Sequence, residues 1–123
     1  MPDILIVDDD DTIREELRHL VSEEGYNVVT AVDGADALQK LSQTSFQLVL
    51  LDVRMPNLDG YEVLTQVKIL YRSTKVIMIT GHADLTQAMK SKKMGADDFI
   101  EKPFDIDYVM TSVRRSLAGL FHS

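Results

Sequence analysis

Three short apolar runs, Ile4 to Val7, Leu48 to Leu51 and Val76 to Ile79, stand out along the chain. Each is too short for a helix, and none alternates with polar residues. Runs that expect cover on both faces are the mark of central strands in a parallel sheet. Two weaker runs, Asn27 to Ala31 and Asp98 to Ile100, fit flanking strands. Between the runs the apolar positions take helical spacing. Ile13, Leu17, Leu20 and Val21 fall on one stripe, with Thr12 and Glu15 placed for a capping box at its start. Ala37, Leu38 and Leu41 mark a second helix, and Val63, Leu64 and Val67 a third. Leu85, Ala88 and Met89 mark a fourth, whose second half is lysine-rich, and Ile106, Val109, Met110, Val113, Leu117 and Leu120 a fifth. Gly25, Gly34, Gly60 and Gly95 punctuate these segments, and Gly25 and Gly95 stand where helix C-caps are expected. Strand then helix, five times over, predicts a doubly wound α/β fold. No repeat, linker or low-complexity stretch interrupts the order, and Leu120 to Ser123 reads as a frayed helix end. The expectation is one domain over residues 1–123.

Composition narrows the function classes. With 123 residues, 45% hydrophobic and 27% charged, the chain has material for one ordinary core. A formal net charge of -7 repels phosphate backbones, so nucleic acid is not an expected partner. The absence of cysteine removes disulfides, thiolate metal sites and thiol nucleophiles. The start, Met1-Pro2-Asp3, lacks a signal-peptide pattern, and no apolar run approaches the roughly 20 residues that span a bilayer. These features place the chain in the cytoplasm, with no membrane partner.

The chemistry sits at the strand ends. Ile4 to Val7 runs into Asp8 and Asp9, Leu48 to Leu51 into Asp52, Val76 to Ile79 into Thr80, and Phe99-Ile100 is followed shortly by Lys102. In a parallel sheet these ends share one edge, where open α/β folds build their sites. Carboxylates about 4 Å apart repel by roughly 4 kcal/mol at an effective dielectric near 20, so the group needs a counter-charge. Hard oxygen ligands without histidine or cysteine favour Mg²⁺ or Mn²⁺. With a metal, Thr80 and Lys102 holding phosphoryl oxygens, one carboxylate can attack phosphorus.

The blocks Val7-Asp8-Asp9, Leu51-Asp52-Val53-Arg54-Met55-Pro56-Asn57-Leu58-Asp59-Gly60, Ile79-Thr80-Gly81 and Glu101-Lys102-Pro103-Phe104 resemble the signatures of bacterial response-regulator receiver domains, in the right order over nearly the whole chain. The resemblance implies a flavodoxin-like, five-stranded parallel sheet in the order 2-1-3-4-5 with five helices. It makes Asp52 the phosphoacceptor, Asp8 and Asp9 the acidic pair for Mg²⁺, and Asp9, Asp52 and the backbone carbonyl of Arg54 the direct ligands. Thr80 would bond the phosphoryl oxygen and Lys102 pair with it by charge. The Lys102-Pro103 bond is commonly cis in that family. Implied partners are a sensor histidine kinase or phosphotransfer protein, a downstream effector protein or domain, and a second copy in a phosphorylation-dependent homodimer. Such a domain is a signalling switch that assists its own phosphoryl transfer and dephosphorylation, and not an enzyme in the usual sense.

Several positions carry a plainer alternative. Asp10 and Asp11 read as a solvated turn or helix cap. Gly81 leaves room for a phosphoryl group. Arg54 and His82 flank the pocket, either tuning water access or simply exposed. Lys90, Lys92 and Lys93 give the fourth helix a basic surface, solvated or used for docking. Phe99 departs from the family's frequent tyrosine, keeping the ring without the hydroxyl. Two other functions compete. An aspartate-nucleophile phosphatase of the haloacid-dehalogenase kind wants an acid two residues after Asp52, where Arg54 stands. A phosphorylation-independent scaffold would have no need of the intact acidic cluster.

Overall fold

The computed structural model describes residues 3–55, 59–81 and 85–118. In chain order the elements are β1 (Asp3–Val7), α1 (Asp11–Glu23), β2 (Asn27–Ala31), α2 (Gly34–Gln43), β3 (Leu48–Asp52), α3 (Gly60–Leu70), β4 (Lys75–Thr80), α4 (Leu85–Lys93), β5 (Asp98–Glu101) and α5 (Ile106–Ala118). The strands form one parallel sheet in the order β2-β1-β3-β4-β5. Both the alternation and the strand order match the sequence expectation. Leu120, the end Leu120 to Ser123, His82 and the stretch Pro56 to Leu58 lie outside the described residues.

The unbroken apolar runs are explained by what covers them. Successive strand side chains point to opposite faces. On one face Leu5, Val7, Val49, Leu51, Val76 and Met78 pack with Ala37 and Leu41 of α2 and Val63, Leu64 and Val67 of α3. On the other, Ile4, Ile6, Leu48, Leu50, Ile77 and Ile79 pack with Leu17 and Val21 of α1 and Val109, Met110, Val113 and Leu117 of α5. Every residue of β3 is buried, so a polar residue placed in that strand is exceptional. Asp52 is that residue.

One capping expectation fails. Thr12 lies inside α1, and the N-cap is Asp10, whose side chain accepts from the N–H groups of Thr12 and Ile13. Asp10 precedes Thr12 and reaches two orphan N–H groups, so the helix begins before the threonine can cap it. Glu15 pairs instead with Arg18. The plainer reading of Asp10 as a helix cap therefore holds. Gly95, with φ 100, closes α4: its N–H reaches Lys92 O at 3.1 Å and that of Ala96 reaches Ser91 O at 3.0 Å. This is a Schellman ending, which requires the left-handed conformation that glycine adopts without strain. The Lys102-Pro103 bond is cis.

Candidate functional site

β2 and β3 flank β1 on opposite sides, so the strand order reverses between β1 and β3. The crevice beyond their carboxyl ends is where such folds collect ligands. Asp8 and Asp9 leave β1 into it, and Asp52 closes β3. Asp8, Asp9 and Asp52 each offer a carboxylate oxygen within 4.8 Å of the others. Lys102, following β5, places its Nζ 3.1 Å from Asp8 Oδ2 and 3.7 Å from Asp52 Oδ2. Thr80, the last residue of β4, is fully buried, and its carbonyl accepts the Lys102 N–H at 2.6 Å. The Arg54 N–H donates to Asp52 Oδ1 at 3.2 Å, while the Arg54 side chain is exposed. The residues singled out in the sequence thus meet at one edge of the sheet.

The two adjacent acids are held differently. Asp8 is 1% exposed, and both its carboxylate oxygens are engaged, Oδ1 by the Asp10 N–H at 2.9 Å and Oδ2 by Lys102. Asp9 is exposed, and among the described residues its carboxylate makes no hydrogen bond or ion pair. Burial, then the Asp8 charge, push the Asp52 carboxyl up to about 7 against the opposing pull of Lys102 and the Arg54 N–H. Among the described residues one ammonium, paired with Asp8 and Asp52, stands against a cluster of three carboxylates, which leaves the cluster short of positive charge. All three side-chain donors are hard oxygens, which suits a small divalent cation. The acidic cluster can therefore hold a metal.

Asp52 is fixed from below by backbone. The Val53 N–H reaches Ile79 O at 2.9 Å, and the Gly60 N–H reaches Val53 O at 3.0 Å. A Cβ on Gly60 would collide with the carbonyl oxygen of Asp52 and stand 2.8 Å from Val53 Cα. Glycine is required here because α3 starts in contact with the β3 backbone. Beside the acids, Asp9, Val53, Arg54, Met55, Asp59, Tyr61 and Gln87 line an open depression.

Gly81 is exposed, and among the described residues a Cβ there would meet nothing within 4 Å. Phe99 is half-buried against the core face shared with α2 and α3, as the plainer reading has it. Lys90, Lys92 and Lys93 are exposed, and Lys90 Nζ stands 4.2 Å from the Tyr61 ring centroid. Sequence reasoning gave no role to a basic residue that reaches the site. Arg14, on the first turns of α1, donates from Nη1 to the Asp8 carbonyl at 2.9 Å. Its only sequence signal is an arginine three residues after Asp11, at the end of the acidic run.

Comparison with known proteins identifies the family and the fold. The family model described as the response regulator receiver domain matches residues 4–114. Sporulation initiation phosphotransferase F of Bacillus subtilis is 38% identical over 114 residues, covering 93% of this chain and 92% of that protein. The DNA-binding transcriptional regulator NtrC of Escherichia coli is 36% identical over 115 residues, 94% of this chain but only 24% of that protein. A CheY-like response regulator receiver domain protein from Methanospirillum hungatei superposes with a TM-score of 0.95 at 32% identity, covering 99% of this chain and 98% of that one. Among the described residues no helix is long and apolar enough to cross a membrane.

Proposed function

The chain belongs to the response regulator receiver domain family, and from that premise we propose that Asp52 accepts a phosphoryl group in a Mg²⁺-dependent reaction. Such domains serve two-component signalling as switches. The observation that carries the proposal is the meeting of Asp8, Asp9 and Asp52 within 4.8 Å, with Lys102 against two of them. A carboxylate oxygen of Asp52 attacks the phosphorus of a phosphohistidine, the P–N bond breaks, and the imidazole leaves with its electron pair. The product is an acyl phosphate on Asp52.

Asp9, Asp52 and the Arg54 carbonyl would hold the cation, and Asp8, its oxygens already engaged, would act through bound water. When bound, Mg²⁺ supplies charge neutralisation for the phosphoryl oxygens, with Mn²⁺ able to substitute. Lys102 stands beside both Asp8 and Asp52 and so pairs with a phosphoryl oxygen without a large movement. Thr80 at the end of β4 bonds another oxygen once the switch closes, biasing a pre-existing equilibrium toward an active face on α4, β5 and α5. The partners are a sensor histidine kinase or phosphotransfer protein upstream and an effector downstream, with a phosphorylation-dependent homodimer as a further readout. Residues 1–123 would work as one cytoplasmic receiver domain. Arg54 offers no acid two positions after Asp52, so no phosphatase role is assigned.

Incubation with a small acyl phosphate and Mg²⁺ should add one phosphoryl group, read by intact mass, and chelation of the metal should prevent it. Equal uptake by Asp52→Asn would refute the assignment.

A further inference from the structure

We propose that Arg14 is a positioning residue that sets the direction of Asp9, and through it the affinity for the cation; the inference rests on the metal-dependent role of Asp52. The Arg14 side chain is only 16% exposed although it stands in the first turns of a surface helix. Its guanidinium bridges two acceptors, the carbonyl of Asp8 at 2.9 Å and the Asp11 carboxylate. The fork of donors on a planar guanidinium suits such bridging, and an ammonium cannot reproduce it.

The Asp8 carbonyl belongs to the peptide unit that joins Asp8 to Asp9. Because that unit is planar, pinning its oxygen fixes the plane from which Asp9 departs. Everything else on the Asp8 side is already fixed. The Asp8 N–H reaches Ala31 O at 3.3 Å, Oδ1 accepts from the Asp10 N–H, and Oδ2 accepts from Lys102. Asp9 has no such hold on its own carboxylate among the described residues. The aim of Asp9 is therefore inherited from the backbone, and Arg14 is the side chain that clasps that backbone. Asp10 supports the clasp by capping α1, and its carbonyl accepts the Arg14 N–H at 2.9 Å, which sets Arg14 one turn into the helix.

Positioning and plain electrostatics predict opposite signs. Removing a cation near a cation site should tighten metal binding if charge alone mattered. Losing the clasp should weaken it. The test is a titration with Mg²⁺ alone, followed by amide NMR shifts, on the full wild-type chain and on Arg14→Ala, Arg14→Gln and Arg14→Lys, with metal-free melting temperatures measured in parallel. All three variants should bind Mg²⁺ roughly tenfold more weakly, in the range found for outer-shell partners, with metal-free melting little changed. Unchanged or tighter binding by Arg14→Ala or Arg14→Gln would overturn the proposal, as would full recovery by Arg14→Lys. Should the shorter side chains unfold the protein, Arg14→Lys decides alone, since it keeps the stem and the charge. Wild type that takes up no Mg²⁺ removes the metal reading and this inference together; normal wild type with indifferent variants removes this inference only.

Discussion

Asp52 ionises against its surroundings. Burial and the Asp8 charge raise its carboxyl to about 7, whereas in the unfolded chain it returns to about 3.9. Between those values the native state binds a proton that the unfolded state has released. The Asp52 contribution therefore makes metal-free stability fall as pH rises from about 4 to about 7, and flatten above. Asp98 acts in the opposite sense. Burial raises its carboxyl, but the Ser112 hydroxyl, the Phe99 N–H and Arg115 outweigh that and hold it low, so its stabilisation is lost only as pH falls into the acid range. Subtracting the variant from the wild type isolates Asp52. Asp52→Asn should be more stable without metal by on the order of 1 kcal/mol near pH 7.5, with the advantage shrinking toward pH 5. Urea unfolding in chelator at the two pH values measures this, and a variant less stable at pH 7.5 would contradict it. The two glycines beside the site give a second contrast. Gly60→Ala should cost about 2 kcal/mol or more, because the added carbon meets the Asp52 carbonyl. Gly81→Ala meets no atom of the described residues within 4 Å and should change stability by less than about 0.5 kcal/mol.

Among its described residues, α4 buries no large apolar side chain. Its described inward residues are half-buried Gln87 and Ala88 and buried Ser91, while Met89 is largely exposed. It meets α3 through Lys90 above the Tyr61 ring, and the buried hydroxyls of Tyr61 and Ser91 have no hydrogen-bond partner among the described residues. Tyr61→Phe keeps the ring under Lys90 and removes an unpaired buried hydroxyl. It should therefore stabilise the resting protein by up to about 1 kcal/mol, whereas Lys90→Gln should cost about 0.5 kcal/mol. Chemical denaturation of both variants checks the pair, and a destabilised Tyr61→Phe would show that the hydroxyl is satisfied. The same scale shows how much was legible in the sequence. The central strands were plain because apolar cover on both faces leaves no polar position to blur the run. α1 and α5 were plain because each presents one stripe to Ile4, Ile6, Leu50 and Ile77. The start of α1 was misplaced at Thr12 because capping by Asp10 depends on side-chain reach, which spacing does not encode. Phe46 went unmarked, a lone apolar residue in a polar connection, yet it is buried and its carbonyl accepts the Thr74 hydroxyl at 2.7 Å.

At the scale of the whole molecule, the site was legible because a parallel sheet makes one rule cover every strand: the residues just past each apolar run arrive at the same edge. That rule delivered Asp8, Asp9, Asp52, Thr80 and Lys102, all of which stand on or just after strands. It could not deliver Arg14, which reaches the edge from a helix. The convergence also concentrates negative charge in a chain whose formal net charge is already -7. A cation that binds the folded edge, and finds no such cluster in the unfolded chain, must stabilise the fold by mass action. At ten times its dissociation constant Mg²⁺ should add about 1.4 kcal/mol, which for a domain of this size raises the melting temperature by about 5 °C. Sodium chloride at matched ionic strength screens the same repulsion without occupying the site, so it should produce a much smaller rise. Asp9→Asn and Asp52→Asn should start from a higher metal-free melting temperature and gain little from Mg²⁺, because each removes part of the repulsion and, in the proposed role, a ligand. Melting curves in chelator, in Mg²⁺ and in matched sodium chloride separate these cases; equal curves for wild type in the two salts would mean that the acidic edge does not select a divalent ion.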